Sequence, residues 1–132
     1  MKVAQLGGDR RLDPTELGRL GEELAARYLE ERGWTVLARN LREGRRELDL
    51  VARRRGVLAV VEVKTRRGCS FGHPLEAITV QKKKEISVAA RGLIRRLGLP
   101  ARTTIRFDAV AILWEEGRPP RVLHVPDAWR LG

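Results

Sequence analysis

Cysteine occurs once (Cys69) and histidine twice (His73, His124) in 132 residues, which excludes an intramolecular disulfide and leaves no cluster of zinc ligands. No apolar run approaches the roughly 18–20 residues that a membrane-spanning helix needs, and a transmembrane protein is excluded on that count. The first residues carry Lys2, Arg10 and Arg11 but no apolar stretch ahead of a small-residue cleavage site. No signal peptide is read there, and the expected location is a reducing cytoplasm. Aromatic residues are scarce at 5%. Trp34, Phe107 and Trp114 fall where strand cores are expected and Trp129 in the C-terminal tail, so the exposed stacking platforms of a single-strand binder are missing.

Acidic residues are also in deficit. There are 27 Lys+Arg against 17 Asp+Glu, a net charge of +10 and a pI near 11.1. The cations are 22 Arg and 5 Lys, and guanidinium grips phosphate in a two-point geometry that ammonium lacks. The balance points to a polyanion, nucleic acid first, although a GC-rich or thermophilic coding bias explains the arginines as well. A membrane surface fits less well, because no basic amphipathic helix stands outside the apparent core.

The length suits one domain, expected over 13–132 behind a flexible arm at 1–12. Asp13-Pro14-Thr15-Glu16 offers an N-cap, a Pro at the first helical position and a Glu three residues after the cap. Leu17, Leu20, Leu24 and Tyr28 then recur at helical spacing up to Gly33. Trp34–Ala38, Glu47–Arg53 and Val57–Thr65 are β-rich, with a polar connection from Asn40 to Arg46 and a hairpin turn at Arg54-Arg55-Gly56. A loop is expected over 66–74. A second helix is expected from about Thr79 to Leu97, then strands at Thr103–Trp114 and Arg121–Val125. The expected architecture is α/β, a mixed sheet of about five strands flanked by helices in the order α-β-β-β-α-β-β.

Alternation in the hairpin puts Asp49 beside Glu47 on one face, and Glu62 beside Lys64 on one face of the next strand. Pairing makes Asp49 and Glu62 near neighbours. Ionisable groups inside an apolar hairpin are costly unless paired, exposed or bound to metal. Two carboxylates and a backbone carbonyl suit Mg²⁺, which leaves its other positions to water and phosphate, and a lysine alongside suits an attacking water. Ordinary ion pairs on an exposed hairpin are the alternative. Arg106 and Asp108, two apart on one strand face, read as a structural ion pair.

Asp followed by Glu-X-Lys on paired strands resembles the PD-(D/E)XK nuclease superfamily. More closely, the chain resembles the YraN-type family of uncharacterised bacterial proteins, similar in fold to Holliday-junction resolvases with a restriction-endonuclease-like core. The matching stretches are Gly21-Glu22, Ala25, Tyr28-Leu29, Asn40-Leu41-Arg42, Glu47-Leu48-Asp49-Leu50-Val51, Val61-Glu62-Val63-Lys64-Thr65-Arg66, Phe71-Gly72 and Arg106-Phe107-Asp108. One departure is Arg46, where the family commonly has Gly.

The resemblance implies a Mg²⁺- or Mn²⁺-dependent endonuclease that hydrolyses DNA, rather than RNA, with a preference for branched or distorted substrates. Asp49, Glu62 and the Val63 carbonyl would hold the metal, Glu22 would join them directly or through water, and Lys64 would position or activate the attacking water. Glu47 would face the site or pair with Arg45, Arg53 or Arg55. Arg42, Arg45, Arg66, Arg67, Lys82 and Lys83 flank the site as a basic rim, although a solvated helix face also accounts for the lysines; Gln81 would touch substrate or metal-bound water, with an ordinary polar first-turn residue as the plainer alternative. His73 reads as a loop residue. By analogy with junction-cutting proteins, whose symmetric cuts need two sites, a homodimer is expected. A non-catalytic nucleic-acid-binding module on the same fold is the alternative, and an Arg-rich surface docking an acidic protein is a third class.

Overall fold

The computed structural model of the protein describes residues 12–67 and 78–130. The arm expected at 1–12 lies outside them apart from Leu12, as do Cys69, Phe71-Gly72 and His73.

Helix α1 spans Pro14–Glu31. Its start is locked in both directions: the Asp13 carboxylate accepts from the Glu16 N–H at 2.8 Å, and the Glu16 carboxylate accepts from the Asp13 N–H at 3.3 Å. These bonds satisfy two backbone donors. Strands β1 (Thr35–Glu43), β2 (Arg46–Arg54) and β3 (Val57–Arg67) follow, then helix α2 (Val80–Leu97) and strands β4 (Thr104–Trp114) and β5 (Arg121–Trp129). Thr79 caps α2 by accepting from the Lys82 N–H at 3.1 Å, and Gly98 closes it in the left-handed conformation at φ 61°, where glycine carries no Cβ penalty.

The five strands form one sheet in chain order, β1-β2-β3-β4-β5. Every pairing is antiparallel except β3 with β4, and α2 lies in the crossover that a parallel pair requires. α1 seals one face of the sheet through Leu17, Ala25, Ala26 and Leu29 on Trp34, Val61, Val63 and Ile112. α2 seals the other through Ile86, Ala89, Ala90 and Leu93 on Leu58, Val60, Phe107 and Ala109. The expected order of elements therefore holds.

Three boundaries differ from expectation. β1 runs on to Glu43, so most of the polar connection expected at Asn40–Arg46 is strand; it is an edge strand, whose outward residues have no need to be apolar. β3 continues to Arg67 because β4 pairs with it throughout. β5 reaches Trp129, which is not in a loose tail: it is buried and stacked on Phe107 at 5.3 Å.

α1 crosses β3 at very close range. A Cβ added to Gly21 would fall 1.9 Å from Thr65 Oγ1, so only glycine allows this approach. Glu22, next in the chain, is brought with it to the end of β3.

Candidate active site

The β2–β3 ladder stops at Leu50 opposite Val61, although both strands continue. Beyond that point the partners separate, and the Asp49 carboxylate takes the place of a backbone acceptor by receiving the Val63 N–H at 2.8 Å. Amide and carbonyl of one strand residue point the same way, so the Val63 carbonyl also faces the opening. On the other side of β2, Asn40 lies between the register pairs Arg39–Leu50 and Leu41–Leu48, with φ 49°. Asparagine tolerates that conformation better than most residues. Here Leu48 packs with the α2-side core and Leu50 with the α1-side core, so strict alternation breaks at Asp49.

The opening collects charge. Glu62 is 4% exposed and within hydrogen-bonding reach of Asp49. Burial above all, then repulsion from Glu62, pushes the Asp49 carboxyl up to about 8, although the Val63 amide works against this. Glu22 is raised by burial first, opposed by a hydrogen bond from the Asn40 side chain, with Glu47 and Glu62 adding to the rise. Glu47 is exposed on β2, near enough for its charge to be felt at Glu22, and makes no ion pair with Arg45, Arg53 or Arg55 among the described residues.

Lys64 stands beside the carboxylates. Burial, then the neighbouring Lys82 ammonium, holds it below its ordinary value, against the pull of Glu62 and Asp49. Lys82 reaches from the first turn of α2 to Glu62 Oε1 at 3.0 Å. Burial works against its charge, but Lys64 and Glu62 outweigh that and its pKa is raised. Lys82 therefore belongs to the inner cluster and not to the outer rim.

The other rim residues are dispersed. Arg42 and Arg66 are exposed near the strand ends, and Arg45 lies in the β1–β2 turn. Arg67 is anchored on the Leu12 carbonyl at 2.8 Å. Gln81 lines a groove of ≈ 550 Å³ with Arg45, Arg46 and Lys84. Lys83 reaches over the Trp129 ring at 6.0 Å.

The sequence alone assigns no role to Asn40 or to Arg46. Asn40 belongs to the Asn40-Leu41-Arg42 stretch, and asparagine is a residue type that signals a left-handed position. Arg46 opens β2 with its Nε buried and without a hydrogen-bond partner, and its charge opposes that of Lys82.

The buried Glu62 and half-buried Asp49 carboxylates, with a carbonyl turned the same way, form a hard-oxygen set, and Mg²⁺-class ions need only one or two carboxylates from the protein. The residues fit such an ion. Among the described residues no three Asp, Glu, His or Cys side chains converge on one metal-binding point, so Glu22 acts on the pair through its field.

Comparison with known proteins bears on the whole domain. Residues 21–112 match the family described as "Uncharacterised protein family UPF0102". The chain is 42% identical over 116 residues to a UPF0102 protein of Trichlorobacter lovleyi, covering 87% of this chain and 91% of that one. It is 45% identical over 113 residues to one from Clavibacter michiganensis (86% and 95%). With one from Bifidobacterium longum subsp. infantis the identity is 44% over 124 residues (92% and 99%). The family match takes in α1 from Gly21 onward, all of α2, the acidic opening and the lysine beside it: the chain belongs to the UPF0102 family, the YraN-type group that its motifs resemble.

Proposed function

We propose that this protein is a divalent-metal-dependent endonuclease that hydrolyses phosphodiester bonds of DNA. The observation that carries the reading is the meeting of Asp49 and Glu62 where β2 and β3 part, with Lys64 alongside. Asp49, Glu62 and the Val63 carbonyl would hold the ion, with Glu22 behind them. A bound divalent ion supplies a Lewis acid for the phosphate and offsets the charge of the carboxylate pair. Lys64 holds the attacking water as an ammonium, or takes up its proton as the neutral amine that its lowered pKa favours, and attack proceeds in line, opposite the leaving 3′ oxygen. Arg42, Arg45 and Arg66 meet flanking phosphates, which carry position and no sequence.

The Lys82–Glu62 ion pair favours a second reading, in which one carboxylate stays engaged by lysine and the fold serves as a non-catalytic nucleic-acid-binding module. Cleavage of labelled duplex, flap, four-way junction and single-stranded DNA in Mg²⁺ or Mn²⁺ separates the two. The nuclease reading expects cutting that falls by about 10²–10⁴-fold in Asp49→Ala and in Lys64→Ala, with DNA binding kept. It also expects Mg²⁺ to raise the wild-type Tm. Salt-sensitive binding with neither cutting nor a metal-linked Tm change would establish the module.

A further inference from the structure

At the opposite end of β3, the β2–β3 turn and the C-terminal end of α1 border a solvent-open cavity of ≈ 620 Å³ beside Trp34, lined by Arg106 and by the exposed Arg32, Arg54 and Arg55, with no carboxylate among its lining residues. Arg106 is neutralised by Asp108. Arg32, Arg54 and Arg55 form no ion pair among the described residues. Two of these three are nevertheless held in place. Arg54 Nη1 donates to the Arg32 carbonyl at 2.9 Å, with its guanidinium 4.6 Å from the Trp34 ring centroid. Arg32 Nη1 donates to the Tyr28 carbonyl at 3.1 Å and lies 3.6 Å from the Tyr28 ring centroid.

Carbonyls and ring faces fix these groups without cancelling their charge, and each guanidinium has five donors of which one is spent. Fixed, unneutralised guanidinium forks are what a phosphate oxygen selects. Arg55 adds a further sign: it holds the left-handed position of the turn at φ 56°, where glycine or asparagine would be at ease, so the side chain is kept at a backbone cost.

The cavity is separate from the carboxylate opening. Val57 lines it, and five residues at roughly 3.3 Å each put it about 17 Å from Glu62 along β3. It also opens on the α1 side of the sheet, where Trp34 packs, while Glu62 meets Lys82 on the α2 side. We propose that this arginine cavity is a second phosphate-binding site, which takes a backbone phosphate of a nucleic-acid segment other than the one lying at the carboxylates. The inference rests on the nucleic-acid reading above and extends it from one contact region to two.

The test is the number of short duplexes bound per chain, measured by calorimetric titration with an eight-base-pair DNA for wild type, Arg55→Gly and Arg54→Gln. Arg55→Gly removes the side chain and relieves the backbone, so its Tm should not fall, which keeps the test independent of folding. Wild type is expected to take two duplexes and each variant one, with metal-dependent cutting retained in both. Inorganic phosphate should raise the Tm of wild type and not of Arg54→Gln. Variants that bind as many duplexes as wild type overturn the inference and leave the nuclease reading intact. Two duplexes on wild type, one on the variants and no cutting by any of them overturns hydrolysis and keeps the cavity. Stabilisation by phosphate with a single duplex bound to every protein overturns the nucleic-acid assignment of the cavity, and no duplex bound to wild type overturns both readings.

Discussion

Asp49 and Asp108 are carboxylates on interior strands whose surroundings treat their charge in opposite ways. Asp108 is fully buried and still accepts from Arg106 Nε and Nη2 at 2.9 Å each and from the Asp127 N–H at 3.0 Å, with His124 Nε2 at 2.8 Å. Burial alone would raise its pKa, but these partners outweigh it and hold the carboxyl below its ordinary 3.8. Asp108→Asn should therefore cost about 3 kcal/mol at neutral pH, because it leaves the Arg106 charge half-buried and unpaired. A lowered folded pKa means that the folded state binds this proton less readily than the unfolded one. The contribution is complete above about pH 4 and is lost as pH falls through the folded value, so urea titrations at pH 7 and near pH 3 should show the deficit shrinking in acid. Asp49 is the reverse case, since burial and Glu62 oppose its charge. Asp49→Asn should make the metal-free protein more stable by about 1–3 kcal/mol, read by urea denaturation in chelator; equal stability would mean that the pair is not in conflict. The Arg106–Asp108 pair was legible from a two-residue spacing. His124 and Asp127 were not, because they come from a strand whose outer half carries Pro126 and alternates poorly.

The approach of α1 to β3 gives a test of how a helix sets a side chain at a distance. Gly21→Ala drives a methyl into Thr65 Oγ1, and a β-branched side chain has little freedom to yield. A loss of about 1–3 kcal/mol is expected, together with reduced cutting as Glu22 is displaced. In a Thr65→Ala background the same change should turn neutral or stabilising, since alanine is favoured over glycine in a helix by up to about 1 kcal/mol. A double-mutant cycle by chemical denaturation measures that coupling. Both helices were legible because caps and apolar spacing agree along their whole length. The second half of β1 was not: Arg39-Asn40-Leu41-Arg42-Glu43 is polar as an outer strand permits, and its left-handed Asn40 reads locally as a turn. The parting of β2 from β3 was equally hidden, since alternation describes each strand and not where a ladder ends.

Across the molecule, Glu22, Asp49 and Glu62 meet in one opening of a chain whose net charge is +10. If four phosphates are contacted, duplex affinity should fall about 10²-fold between about 50 and 200 mM salt, measured by anisotropy titration; a flat response would exclude the phosphate backbone as the partner. Asp49, Glu62 and Lys64 were legible as a group because a single hairpin brings them together. Lys82 was not, because it joins Glu62 from another element by tertiary packing alone. The order of strands in the sheet also bears on how the chain assembles. Neighbours in the sheet are neighbours in sequence, so the β1-β2-β3 meander and the β4–β5 hairpin can form by local search, and the parallel seam that sets Val57 beside Thr104 is the one pairing that must close a long loop before its contacts repay the entropy. The rate-limiting barrier to folding then lies in that seam with α2 laid across it. Substitutions in β3 and β4 are expected to slow folding and those in the outer strands β1 and β5 to hasten unfolding, read from the two arms of a denaturant chevron, with the acidic hairpin assembled on the fast side of the barrier.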